Sequence, residues 1–227
     1  MEAYESMSPF LIINKKSIIL NFMNNRKKGI IILTSTGMSV DSVRQVVVKY
    51  FVVLSFKSVA IVTTAAEGKD NNKYSKLAEA QFKELGFSVV DFVDIANDLR
   101  ADFSKYNVIY VCGGNTFRLL KYAREAHFKE TIEKLLDRGG VYIGVSAGSI
   151  ILAPTIQIAA SVDPEPNEIG ISDLTGLNLI DFEIHPHYEP IQDAELSFYQ
   201  KVTKNKVIGI SNSQALIISN SGQEVVE

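Results

Sequence analysis

Val141-Tyr142-Ile143-Gly144-Val145-Ser146-Ala147-Gly148-Ser149-Ile150 changes character at its midpoint. The first five residues are an apolar run, which reads as a buried strand. The next residues are small and can turn the chain into a helix. Gly144 and Gly148 stand two positions either side of Ser146. That is the G-x-S-x-G arrangement of a nucleophile elbow, in which a serine sits on a sharp strand-to-helix turn. The turn is strained, and small flanking residues let it close. The serine hydroxyl then projects above the sheet, at the positive end of the following helix. A plain strand–helix turn with serine as N-cap uses the same residues. The rest of the chain has to separate the two.

Outward from this stretch, short apolar runs alternate with longer helical patterns. Residues 29–34 (GIIILT), 58–64 (SVAIVTT), 87–92 (FSVVDF) and 107–112 (NVIYVC) read as four further strands. Ser39 and Asp41 are N-cap candidates for a helix to about residue 54, with Val43, Val46, Val47, Tyr50 and Phe51 at helical spacing. Residues 72–85 are amphipathic, with Leu77, Ala78, Phe82 and Leu85 as the apolar stripe and Gly86 as the stop. Residues 116–126 and 129–138 read as two more helices. Continuously apolar strands alternating with helices indicate an α/β fold with a parallel sheet covered on both faces. Past Ile150 the pattern loosens. Residues 161–172 (SVDPEPNEIGIS) read as a loop. Residues 181–184, 207–210 and 216–219 look like late strands, with a helix near 194–202.

The chain has 227 residues, 46% hydrophobic and 22% charged, which suits one globular α/β domain. Its formal net charge of -3 offers no broad basic field, so a nucleic-acid partner is not expected. A single cysteine, Cys112, excludes an intrachain disulfide and fits a reducing, cytoplasmic setting. Near the start, apolar residues 10–13 and 18–20 are interrupted by Asn14, Lys15 and Lys16. That falls short of the roughly 18–20 apolar residues of a membrane span, and no secretory order of basic then apolar residues is visible. Residues 1–26 read as an extension without an assigned role, and 27–227 as one domain.

A serine hydroxyl needs a base to become a nucleophile. The chain has three histidines. His127 lies in a polar stretch between two helical patterns and reads as a surface residue. His185 and His187 follow the strand-like 181–184 run, and a strand end places a side chain at the sheet rim with the elbow. His187 follows Pro186, whose fixed φ stiffens the loop. A His-x-His metal pair is the rival reading, and no third ligand stands nearby. Gly113-Gly114 follows the fourth strand and leaves backbone N–H groups open to close approach. These glycines could supply one oxyanion-hole donor and the Ala147 N–H the other. Asn115 or Thr116 can cap the next helix, and Gly113 and Asn115 are candidate substrate-binding residues. Cys112, closing an apolar strand, reads as a buried, inert thiol rather than an alternative nucleophile.

Two motifs, Gly113-Gly114-Asn115-Thr116-Phe117 and Tyr142-Ile143-Gly144-Val145-Ser146-Ala147-Gly148, are followed by Pro186-His187-Tyr188. Together they resemble the peptidase E family (S51) of serine peptidases, from about residue 27 to the C-terminal end and most densely between 107 and 188. The resemblance implies a flavodoxin-like three-layer sandwich with a mostly parallel central sheet, related to class I glutamine amidotransferases. It implies hydrolysis of small peptides through an acyl-enzyme, with Asp-X dipeptides as the best-known substrates and no cofactor or metal. By position Ser146 matches the nucleophile, His187 the base, and Gly114 and Ala147 the oxyanion hole. The family's third member is a glutamate in a late loop. Here the matching stretch is Ile210-Ser211-Asn212-Ser213-Gln214-Ala215, which puts Asn212 at that position. An asparagine can fix the imidazole tautomer but brings no negative charge. Asp163, after the elbow helix, is the alternative third member. A non-peptide esterase or amidase, and a catalytically inactive relative that binds a small ligand, are the competing functions.

Overall fold

The computed structural model describes residues 29–52, 54, 56–162 and 164–227, so the extension read at 1–26 lies outside the described residues. The apolar runs become five parallel strands: β1 (Ile30–Thr34), β2 (Ser58–Val62), β3 (Val89–Val93), β4 (Val108–Val111) and β5 (Val141–Val145). Every residue of β1, β2, β4 and β5 is buried, as expected of strands covered on both faces. β3 is only half-buried because it forms one edge. Between them run α1 (Asp41–Lys49), α2 (Lys73–Glu84), α3 (Thr116–Glu125) and α4 (Phe128–Asp137). After β5 come two single turns, α5 (Ala147–Ile150) and α6 (Ile158–Ser161), then β6 (Glu183–His185), α7 (Asp193–Thr203), β7 (Val207–Gly209), β8 (Ala215–Ser219) and β9 (Gly222–Val226).

The main sheet has seven strands in the order β3-β2-β4-β5-β1-β8-β9. β8 and β9 are antiparallel additions on the β1 side. Side chains alternate across the sheet with period two. Ile31 and Leu33 join the core under α3 and α4, whereas Ile30 and Ile32 join the core under α1 and α2. Helices therefore cover both faces, giving the three layers expected. No helix among the described residues is long and apolar enough to cross a membrane.

Two expectations need correction, and two features lie beyond the reading of the sequence. The first helix stops at Lys49, with Tyr50 as its C-cap, rather than running to about 54. In α2, Leu77 is 40% exposed while Ser75 and Gln81 are buried, so the inward stripe is not the most apolar one. Gln81 is tolerated inside because its Nε2 donates to the Met38 carbonyl at 2.7 Å. The runs at 181–184 and 207–210 form β6 and β7, which pair with each other in a separate parallel sheet. β9 was not expected at all: its five residues are almost entirely exposed, so no apolar pattern marks it.

Candidate active site

The carboxyl ends of β1, β4 and β5 lie side by side, with Thr34 opposite Val145 and Val111 opposite Gly144. Open α/β sheets bind ligands at such carboxyl ends. The chain leaves β5 through Ser146, whose φ of 48° and ψ of -108° lie outside the regions open to ordinary L-residues. Such a conformation costs about 1–3 kcal/mol and persists only where its surroundings enforce it. Here the Ser146 N–H donates to the Thr34 carbonyl at 2.9 Å. The Ser146 carbonyl in turn accepts from the Ser149 and Ile150 N–H groups at 2.7 and 3.0 Å. A Cβ at Gly144 would lie 2.6 Å from the Gly148 carbonyl oxygen, and one at Gly148 would lie 2.5 Å from that of Val111. Both glycines are therefore required by close packing.

Thr34 and Ser149 bind the elbow to β1 reciprocally. The Thr34 N–H donates to Ser149 Oγ at 3.1 Å, and Ser149 Oγ donates to the Thr34 carbonyl at 2.9 Å. The helix after the elbow is a single turn, shorter than the sequence suggests. Local N–H groups rather than a long macrodipole therefore face the serine.

His187 Nε2 lies 3.3 Å from Ser146 Oγ, and its Nδ1 lies 2.7 Å from Asn212 Oδ1. The three side chains form one line across three separate segments of chain. His187 itself sits at φ 57°. Its N–H donates to Ser35 Oγ at 3.0 Å, and the next residue, Tyr188, donates its N–H to the Ile210 carbonyl at 3.0 Å. Asn212 is held in turn by Thr36, whose Oγ1 donates to the Asn212 carbonyl at 3.1 Å. Gly113 and Gly114 lie against the serine: a Cβ at Gly113 would come within 3.9 Å of Ser146 Oγ. Gly114 has φ 137°, and a Cβ there would overlap the Ala65 carbonyl, so only glycine lets the loop pass this close. Asn115 caps α3 by accepting from the Arg118 N–H at 2.8 Å, and its Nδ2 donates to the Pro166 carbonyl.

The other candidates fall elsewhere. His127 is exposed at the N-cap of α4, and His185 is buried at the end of β6 with 2% exposure. Cys112 is 4% exposed beside Ser75, and burial pushes its thiol up to about 11, which makes it a poor nucleophile. Asp163 lies outside the described residues.

A cavity of about 460 Å³ opens over this line and reaches Ser146, His187, Gly113 and Gly114. The sequence model of peptidase family S51 matches residues 31–226, nearly all of the described chain. The chain belongs to peptidase family S51. As a member of S51 it is a peptidase. An uncharacterized peptidase of Listeria monocytogenes is 30% identical over 182 residues, covering 76% of this chain and 86% of the relative. A peptidase E of Nostoc sp. is 32% identical over 143 residues, covering 62% of this chain and 56% of the relative. A crystal structure of a candidate peptidase E from Listeria monocytogenes superposes with a TM-score of 0.71 at 27% identity, covering 87% of this chain and 98% of that one. A peptidase from an acI-B1 actinobacterium shares the fold at 17% identity and a TM-score of 0.65.

Sequence reasoning missed two residues of this S51 site. Ser35 is 2% exposed and joins the segments, donating to the Ile210 carbonyl at 2.9 Å while accepting from His187. Its only sequence signal is its place just after an apolar strand. Glu165 accepts from both the Thr116 N–H and Oγ1 at 2.6 Å, which fastens the 161–172 loop to the start of α3. An acidic residue in a Pro-rich loop gives no hint of that partner.

Proposed function

We propose that the chain is a serine peptidase acting on small peptides, with Ser146 as nucleophile and His187 as general base. The observation that carries this reading is the Ser146–His187–Asn212 line, at 3.3 and 2.7 Å, on a strained elbow. In the neutral imidazole, Nδ1–H donates to Asn212 Oδ1, which leaves the Nε2 lone pair toward the serine hydroxyl. His187 takes the hydroxyl proton as Oγ attacks the scissile carbonyl. The Gly114 and Ala147 N–H groups receive the negative charge that develops on the carbonyl oxygen. The protonated imidazole then gives its proton to the leaving amine, and the acyl-enzyme is released by a water that His187 deprotonates in turn.

Asn212 fixes the tautomer and the ring orientation without a counter-charge for the imidazolium. Its role is to position His187. Gly113 and Asn115 shape the loop that carries the Gly114 donor. The test is hydrolysis of a dipeptide library, Asp-X members included, by wild type and Ser146→Ala. Cleavage that vanishes in the variant supports the assignment. Cleavage that persists unchanged in Ser146→Ala rejects it.

A further inference from the structure

The cavity over the elbow has a chemistry of its own. Among the described residues that line it there is no lysine or arginine, and Glu67 at the exposed rim is the one carboxylate. Of the nearby lysines, Lys69 Nζ donates to the Thr64 carbonyl at 2.9 Å, Lys76 pairs with Glu79, and Lys73 Nζ lies 4.8 Å from the centroid of the Tyr74 ring, outside the lining. The apolar part of the lining is built from Ala66, Leu77, Tyr110 and Val145. Leu77, which helical patterning assigns to the core, is 40% exposed here because it faces this space. Tyr110 is fully enclosed, and burial raises its phenol, so it stays neutral.

Four polar side chains of the lining, Asn72, Gln81, Ser39 and Thr36, bond to backbone groups. Asn72 donates to the Glu67 carbonyl at 2.8 Å and accepts from the Tyr74 N–H at 2.9 Å. Gln81 donates to Met38, Ser39 donates to the Thr36 carbonyl at 2.7 Å, and Thr36 donates to Asn212. Besides these, the lining offers a ligand the apolar side chains of Ala66, Leu77 and Val145, the exposed Tyr74 and one carboxylate, Glu67. A carboxylate placed there would lose water without gaining a cation, a cost that substrates lacking it avoid.

We infer that this cavity receives the N-terminal residue of the substrate, with an uncharged apolar side chain against Leu77 and Tyr110 and its α-ammonium toward Glu67. The inference rests on the serine peptidase reading of the same site. In a dipeptide the residue with the ammonium also owns the scissile carbonyl, so a negatively charged rim orients the peptide with that carbonyl at Ser146. The leaving residue, with its carboxylate, points away from Glu67. The substrate class is therefore short peptides with a leucine-, methionine- or phenylalanine-like first residue.

The experiment compares kcat/KM for Leu-Gly, Met-Gly and Phe-Gly with Asp-Gly and Glu-Gly, using wild type, Glu67→Arg and Ser146→Ala. The expected preference for the apolar set is about 100-fold, the scale on which an unpaired polar group is rejected. Glu67→Arg narrows that preference at least about tenfold by exchanging repulsion for attraction, and N-acetylation of Leu-Gly slows its cleavage. Faster cleavage of Asp-Gly, lost in Ser146→Ala, overturns the inference and leaves the serine mechanism standing. Cleavage that survives in Ser146→Ala overturns the mechanism instead. If turnover is too slow to measure, labelling of Ser146 by diphenyl phosphonates with leucyl or aspartyl side chains reads the same preference. Equal or aspartyl-favoured labelling rejects it.

Discussion

Two neighbouring strands, β4 and β5, each end in a residue with a nucleophilic side chain, and only one of them is placed to react. Cys112 follows β4 and Ser146 follows β5, and the two strands pair in parallel. The thiol is intrinsically the better nucleophile, yet it is enclosed beside Ser75 and its pKa is driven up to about 11 by burial. The hydroxyl is the poorer nucleophile, yet it stands on a positive-φ turn, half-exposed, with an imidazole at 3.3 Å. The two groups differ in backbone geometry more than in intrinsic reactivity: the turn lifts the serine out of the sheet and beside an imidazole.

The comparison can be broken most severely at the serine and its base. Ser146→Ala and His187→Ala should each lower kcat by about 10⁶-fold, and the double variant little further, because residues acting as a unit are not additive. Steady-state kinetics on one cleaved dipeptide checks this. Gly148→Ala attacks the backbone geometry itself, since its new Cβ would press on the Val111 carbonyl at the end of β4. A loss of about 1–3 kcal/mol in urea unfolding is expected, as for other overpacked sites, with a fall in activity as the elbow shifts.

Asn212→Asp sharpens the comparison by adding a charge behind the base. A rise in kcat of roughly tenfold is expected, because a carboxylate stabilises the imidazolium that asparagine cannot. The smallest effect belongs to Cys112. Cys112→Ala should leave kcat within about twofold, since a buried thiol acts as a small apolar group. At pH 8 a thiol of pKa about 11 is only about 0.1% thiolate, so iodoacetamide should leave the native protein almost unlabelled.

The contrast between these strand ends was largely legible from residue pattern. The apolar runs of β1, β2, β4 and β5 are each fully buried, and buried parallel strands carry their signal in composition alone. The elbow glycines announce the turn because no other residue fits them. What escaped is pairing and exposure at a distance. The runs leading to β6 and β7 read as late strands, and nothing local says that they pair with each other apart from the main sheet. β9 pairs with β8 and faces water along most of its length, with Val226 alone reaching the core, so it needs no apolar alternation. Leu77 breaks helical patterning because the space it faces is a cavity rather than a core. Ser35 acts through contacts with segments more than 150 positions away, which no window of sequence contains.

That the reactive line is assembled from distant segments also sets an order of events during synthesis. His187 follows Ser146 by 41 positions, and Asn212 follows His187 by a further 25. At about 5–20 residues per second the ribosome needs several seconds to travel that distance. For the first 41 positions of that interval the nascent chain carries Ser146 without His187, and for the last 25 it carries both without Asn212. With Ser146 as nucleophile, a newly made molecule gains its complete line of side chains only once the Asn212 loop has been delivered.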